Sequence, residues 1–422
     1  MRRFEFSLTI SLMLVGSLFM ALYQIQAQPE VVWGKQWGSG AKEGSCDIAL
    51  YRDNNIYVSG VTEGNLFGQN QGGMDIFVVK LDSGGQVLWS KQFGTKDDEE
   101  GASLSIDATG SVYLATSTRG AWFGENLGDK DIVLLKLSAD GQLIWGKRIG
   151  TDKDEVVHQI VVDRQGYIYA VGWTSGNLFG QNQRGDYEGL LAKFDLDGKL
   201  ALGKQFKDDL PNAIAVDSQC NIYIGGWTYD NVSNTFVGFL AKFTSDGTLK
   251  WKQVLPLTEE VTINSLSIDR NGNVYLVGQV EVYVDENQLV SVPDAFVAKY
   301  NGADGQRLWS KHFRSQEQSE QGEIFEVFDD VTIDEQGNIY VVGSAEGSLF
   351  GSNLGERDVV IVKIDAQGNI IWGKQWGSAK GESGVAIAID ETGSIYVAGG
   401  TNGNLFGTNA GEAGIFVVKF RQ

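Results

Sequence analysis

Cysteine and histidine are nearly missing from this chain, with 2 of each among 422 residues. Cys46 and Cys220 are too few for a disulfide framework. The repeat described below places them in distant units, so no bridge between them is expected and the fold does not rely on oxidation. The only histidines are His158 and His312, and no Cys/His cluster has the spacing of a metal site. A lone histidine is more often structural than catalytic. Nucleophile elbows and phosphate-cradling glycine loops are also absent. Positive charge is in deficit: 34 Lys and Arg stand against 54 Asp and Glu, for a net charge of −20. That balance disfavours nucleic acid and anionic membrane as partners.

Long apolar runs are absent except at the N-terminus. Arg2 and Arg3 precede an apolar stretch from Leu8 to Leu22, and Ala27 offers a small residue before Gln28. This reads as a cleaved signal peptide over residues 1–27, leaving one domain over 28–422. The alternative is a single membrane anchor, but the run falls short of the roughly 20 residues a span needs. No lipobox-like cysteine lies nearby. The expected location is periplasmic, secreted or at the cell surface, with no membrane span after cleavage.

What the chain has in abundance is glycine, 55 residues, and self-similarity. One phrase recurs at Trp33-Gly-Lys-Gln, Trp89-Ser-Lys-Gln, Trp145-Gly-Lys-Arg, Leu202-Gly-Lys-Gln, Trp251-Lys-Gln, Trp309-Ser-Lys-His and Trp372-Gly-Lys-Gln. A second, Asn55-Ile-Tyr-Val-Ser-Gly, is echoed at Ser111, Tyr167, Asn221, Asn273, Asn338 and Ser394. A third, Asp75-Ile-Phe-Val-Val-Lys, is echoed around Lys136, Lys193, Lys242, Lys299, Lys363 and Lys419. Each unit supplies four short strands rich in β-branched and aromatic residues. Asp-x-x-Gly turns such as Asp269-Arg-Asn-Gly and Asp82-Ser-Gly-Gly link first strand to second and third to fourth, Asp bonding its own backbone and Gly taking the positive φ. Seven such units predict an all-β fold, a seven-bladed β-propeller of four-stranded antiparallel blades. The chain opens on a fourth strand near Val31–Trp37 and ends on a third near Ile415–Phe420. The N-terminal strand is therefore expected to join the last blade and close the ring.

The combination Ile-Asp-x-x-Gly-Asn-Ile-Tyr-Val-x-Gly followed by Gly-x-Asn-x-Gly-x-x-Asp-x-Phe-Val-Val-Lys resembles the bacterial SBBP repeat, a β-propeller repeat of secreted proteins. The resemblance covers essentially all of residues 28–422. It implies the fold, and it implies no shared activity or catalytic residue.

The tight turns belong at one end of the blades, so the longer connections gather at the other, where function is expected. A loop there repeats as Asn65-Leu-Phe-Gly-Gln-Asn, Ala121-Trp-Phe-Gly-Glu-Asn, Asn177-Leu-Phe-Gly-Gln-Asn, Ser348-Leu-Phe-Gly-Ser-Asn and Asn404-Leu-Phe-Gly-Thr-Asn. Asn70, Asn126, Asn182, Asn353 and Asn409 either cap these loops or form a ring of ligand contacts. Blades 4 to 6 break the pattern. Blade 4 has Tyr229-Asp-Asn-Val-Ser-Asn instead, blade 5 a longer loop over Glu281–Pro293, and blade 6 is preceded by an acidic insertion over Arg314–Asp330. Trp173 and Trp227 fill one repeat position in neighbouring blades, suited either to packing or to stacking on a sugar or a partner protein. At the channel mouth the repeat places Cys46, Ala102, His158, Asn212, Asn264, Asp329 and Val385. Four consecutive blades there are polar, as a small polar ligand or a wet channel would require.

The acidic runs Asp97-Asp-Glu-Glu and Asp152-Lys-Asp-Glu read as a solvated rim. No calcium-loop spacing is present, and neither cofactor nor metal is expected. The recurring Lys residues are taken to pack their stems and leave their heads in solvent. The resulting expectation is a monomeric, non-catalytic extracytoplasmic module that binds a protein or glycan through Trp173, Trp227, His158, Asn212, Asn264 and Asp329. The alternative is a hydrolase or lyase acting on an extracellular glycan with carboxyl groups at the channel mouth.

Overall fold

The computed structural model describes residues 28–422 apart from 53, 181–186, 231–234, 256–259, 284–290, 316–323 and 410. The leader expected over 1–27 and Asn182 lie outside the described residues. Seven four-stranded antiparallel sheets form the blades, six of them built from consecutive strands. Blades 1 to 6 span residues 43–93, 99–149, 155–207, 209–254, 260–313 and 326–376. Blade 7 takes three strands from residues 382–421 and its outermost strand from Glu30–Trp37. That strand pairs antiparallel with Gly414–Arg421, from Glu30 opposite Arg421 to Trp37 opposite Ile415. The ring closes as the phase of the repeat requires.

The middle strands of each blade form the core. Ile-Tyr-Val segments such as Ile168–Thr174 and apolar third strands such as Asp75–Leu81 are buried along nearly their whole length. Both their faces meet a neighbouring blade, so alternation gives way to continuous apolar runs. One tyrosine per blade, from Tyr57 to Tyr396, is fully buried. Its hydroxyl finds a partner in the tight turn: Tyr169 Oη donates to Asp163 Oδ2 at 2.9 Å and Tyr396 to Asp390 at 2.9 Å. The other carboxylate oxygen of Asp163 accepts from Gln165 N and Tyr167 N, both at 2.9 Å. Two blades depart from this turn. Tyr51 replaces the Asp in blade 1, and the buried Tyr57 hydroxyl is left without a partner. In blade 4 Cys220 stands where Gly is usual, at φ +61°, a conformation that favours glycine.

Blades are stitched to one another by the repeated Trp and Lys. Trp145 Nε1 and Lys136 Nζ both donate to Leu196 O in the next blade, at 3.2 and 3.3 Å. Trp89 and Lys80 do the same to Ala139 O at 3.1 and 3.2 Å. Across the closure Trp33 Nε1 reaches Ser83 O at 3.1 Å. The third-strand Lys heads are therefore not free in solvent as expected. They lie over the buried tyrosine rings, Lys136 Nζ being 5.3 Å from the Tyr113 centroid. The carbonyl they bond belongs to a blade about one repeat away, a relation that period alone does not reveal.

Three other expectations need correction. Glu281–Pro293 is only partly loop, because Glu281–Tyr283 and Ser291–Pro293 continue the second and third strands of blade 5 as one longer hairpin. Blade 4 does likewise as far as Asp230 opposite Thr235. The insertion before blade 6 ends sooner than Asp330, since Glu326–Ile333 is the innermost strand of that blade. The acidic runs are not wholly rim. Glu99 and Glu155 are buried and accept from Thr118 Oγ1 and Thr174 Oγ1 at 2.7 and 2.6 Å. These bonds latch the innermost strand to the second strand of the same blade.

Candidate functional site

Every innermost strand carries a β-bulge at one position. The register slips between Val157 and Gln159, Pro211 and Ala213, Ile263 and Ser265, and Phe328 and Asp330. A bulge inserts an extra residue and re-aims its side chain. Here the extra residues are His158, Asn212, Asn264 and Asp329, and all four line the central channel. In six of the seven blades a glycine three residues after the buried tyrosine makes room for the bulge, Thr116 standing there in blade 2. A Cβ on Gly172 would lie 1.9 Å from Val156 O, and one on Gly278 1.9 Å from Thr262 O.

The channel holds a cavity of about 500 Å³, lined by these four residues, by Asp47, Gln159, Trp227, Ser265 and Asp330, and by small residues of the other blades. His158 is open to this space although protein surrounds it. The enclosure lowers its pKa, disfavouring the imidazolium. Three of the bulge side chains reach forward to the next blade. His158 Nδ1 bonds Pro211 O at 3.0 Å, with Nδ1 as the donor. Asn212 Nδ2 donates to Ile263 O at 3.4 Å, and Asn264 Nδ2 to Phe328 O at 3.0 Å.

One residue further along, a second ring of polar side chains closes the backbone. Asp47 accepts from Ile48 N at 2.8 Å, Leu104 N at 2.9 Å and Ser103 Oγ at 3.2 Å. Asp330 accepts from Ser265 Oγ at 2.7 Å and from Val331 N and Ile387 N, both at 2.8 Å. Gln159 accepts from Ile214 N at 2.8 Å. Burial raises Asp47 to about 7 and Asp330 to about 6. Sequence reasoning missed this ring, although its signal was present: a polar residue directly follows the bulge position in five of the seven blades.

The two tryptophans do not form a stacked pair with each other. Trp173 sits edge-on to Tyr187 with centroids 5.1 Å apart. Trp227, 36% exposed, faces Phe236 at 6.3 Å, and Phe236 also meets Tyr229 at 5.3 Å. Tyr187 and Phe236 are themselves exposed by 56% and 49%. The tops of blades 3 and 4 thus carry five aromatic side chains. Sequence reasoning named two of them. The other three lie in non-repeating loop flanks, where only burial distinguishes a patch from a core.

The loop asparagines are turned onto their own loops. Asn70 Nδ2 donates to Gly73 O at 2.9 Å, Asn126 Nδ2 to Gly128 O at 2.7 Å, and Asn353 Oδ1 accepts from Gly355 N at 3.2 Å. Asn409 N bonds Asn404 Oδ1 at 2.7 Å, while its own Nδ2 is buried without a partner. The structure does not gather them with the channel residues.

Among the described residues no group of three or more His, Cys, Asp or Glu side chains could hold a metal ion. Residues 137–180 and 371–407 match the SBBP β-propeller repeat. The chain is a seven-bladed β-propeller that carries SBBP repeats in these two regions. The propeller is 21% identical over 346 residues to the regulatory protein FlaEY of Caulobacter vibrioides, a match that covers 70% of this chain and 36% of that protein. It therefore spans well under half the length of that relative. Among solved structures, the WD40 domain of Neurospora crassa Pan2 aligns over 92% of this chain and 96% of its own, with a TM-score of 0.53 at 11% identity. At that identity the likeness concerns fold alone.

Proposed function

We propose that this propeller is a non-catalytic, extracytoplasmic binding module that engages a protein or glycan through the tops of blades 3 and 4. The observation that carries this reading is two aromatic groups at the tops of blades 3 and 4, half-buried Trp173 with exposed Tyr187 and exposed Trp227 and Phe236 with half-buried Tyr229, of which Trp227 lines the channel cavity. Solvent-facing aromatics gathered beside a cavity suit recognition, because a few aromatic contacts usually dominate binding energy. The strands beneath them are rigid, so little ordering accompanies association. The relative in Caulobacter is a regulatory protein, a role that interaction serves.

A glycan array and a pull-down with the secreted form, each repeated with Trp173→Ala/Trp227→Ala, test the reading. Affinity for the captured partner is expected to fall by about 2 kcal/mol or more while the fold persists. Normal capture by the double variant removes this site.

The enzymatic alternative draws on the raised carboxyl groups around the channel. A glycosidase pair needs two carboxyls free to act. Asp47 and Asp330 accept backbone hydrogen bonds on both oxygens, which leaves Asp329 alone. Turnover of a polysaccharide that Asp329→Asn abolishes would favour that alternative.

A further inference from the structure

The bulge residues of blades 3, 4 and 5 form a series in which each donates a hydrogen bond to the carbonyl just before the next bulge: His158 to Pro211, Asn212 to Ile263, Asn264 to Phe328. The next member is Asp329, and the carbonyl that follows in the series is that of Gly384. An ionised carboxylate has no proton to donate, so at this step acceptor would face acceptor. Asp329 is held by no hydrogen bond to the described residues. Its only stabilising influence is the charge of Arg357, and Asp330 beside it opposes ionisation. Arg357 does not line the cavity and is itself paired with Glu346 at 2.7 Å.

The surroundings are equally one-sided. Three aspartates and no Lys or Arg line the cavity. Asp47 and Asp330 accept hydrogen bonds on both oxygens from backbone amides and serine hydroxyls, whereas Asp329 receives none from the described residues. Burial and the neighbouring Asp330 raise Asp329 to about 7, as expected of a carboxylate that lacks a counter-charge.

We propose that the channel of this propeller is a binding site for a small primary amine, its ammonium group seated against Asp329. An ammonium brings three N–H donors to a place that offers the Asp329 carboxylate, a chain carbonyl and Asn264 Oδ1, left as an acceptor when Asn264 Nδ2 donates to Phe328 O. Trp227 lines the same cavity, and an aromatic ring favours a partly desolvated cation. A bare metal ion suits the place less well, because it would need several carboxylate oxygens and two of the three carboxylates are committed. The site adjoins the aromatic set through Trp227, which serves both, whereas Asp329 takes no part in that set and so reports on amine binding alone.

The probes are n-butylamine and, as its uncharged counterpart, n-butanol, added at pH 8, where Asp329 is ionised. Binding is read by calorimetry and by the thermal unfolding midpoint. The amine is expected to bind and raise the midpoint, and the alcohol to do neither. Asp329→Asn should weaken amine binding at least tenfold. Without ligand it should raise the midpoint at pH 8, because Asn extends the donor series of Asn212 and Asn264. If Asp329→Asn does not fold, Trp227→Ala should still weaken the amine about fivefold. Equal binding of amine and alcohol, undiminished binding by these variants, or the same stabilisation by calcium chloride each overturns the proposal. Loss of amine binding in Asp329→Asn with partner capture retained separates this site from the aromatic one.

Discussion

Blades 3 and 4 offer the same seat, and only one of them fills it. In blade 3 the loop residues Leu178 and Phe179 settle between blades 2 and 3 beside Ala170, Leu190, Ala192 and Phe194, leaving about 10 Å³. The Phe179 ring lies so close over Gly203 that a Cβ there would approach it to 2.3 Å. Gln205 clamps the loop, accepting from Phe179 N and donating to Gly176 O, both at 2.9 Å. The matching positions in blade 4 are Ile224, Phe239, Ala241 and Phe243, and here about 510 Å³ stays open. Lys252 stands in place of the glycine, with its ammonium paired to Asp209 and 5.1 Å from the Phe239 ring. The clamp position, two residues after the glycine, is Val254 in blade 4. Here the Leu-Phe-Gly plug and the clamp glutamine are both replaced, while aromatic side chains gather at the blade top. The plugged sector carries stability, and the unplugged sector is open to molecules from outside.

The severest challenge to that division is removal of the closing strand. Deleting residues 28–37 should strip the outer strand from blade 7, and aggregation or loss of most of the folding stability is expected in denaturant unfolding. An unchanged midpoint would mean that loop plugs, not closure, hold the ring. Next in size is the plug itself. Phe179→Ala should cost about 3 kcal/mol by emptying a packed aromatic seat, whereas Trp227→Ala, on the open side, should cost under about 0.5 kcal/mol of fold stability. Similar losses for the two would erase the distinction.

Acidity gives a third, smaller effect. Asp47, Asp329 and Asp330 stand at about 7, 7 and 6 in the folded chain. They bind protons more tightly folded than unfolded, so stability is highest below pH 4 for this set and falls as pH rises toward 7. His158 works the other way below its usual value because burial lowers it. The net expectation is a loss of several kcal/mol, about 5 at most, between pH 5 and pH 8, partly relieved in Asp329→Asn. A flat stability curve would show that the channel carboxylates are fully hydrated. Smallest is the clamp: Gln205→Ala should lose about 1–2 kcal/mol, and Val254→Ala, at the matching exposed position of blade 4, should fall within about 0.5 kcal/mol of the parent.

How far the sequence carried differs between fold and site. The turns were legible because Asp163, Gly166 and Tyr167 act within five residues of one another. Closure was legible because the strand missing from one end of the repeat is present at the other. The placement of His158, Asn212, Asn264 and Asp329 around one channel also followed from the repeat. Their hydrogen bonds did not, since each partner lies in the next blade and depends on a bulge that no composition announces. Trp173 and Trp227 shared a repeat position, yet their ring partners Tyr187 and Phe236 come from segments where the repeat lapses. Where copies agree, comparison within the chain suffices; where they diverge, only coordinates show what replaced the common feature.

The closing strand also sets a timetable. Glu30 and Arg421 face each other across the last sheet, 391 residues apart in sequence. During synthesis the first strand emerges hundreds of residues ahead of its partner. Six blades can assemble locally, each from consecutive strands, while the first strand waits with its backbone unsatisfied and ready to pair with any passing edge. Its escort through that wait, whether a chaperone or swift completion of the chain, decides whether the ring closes on itself or on a neighbour.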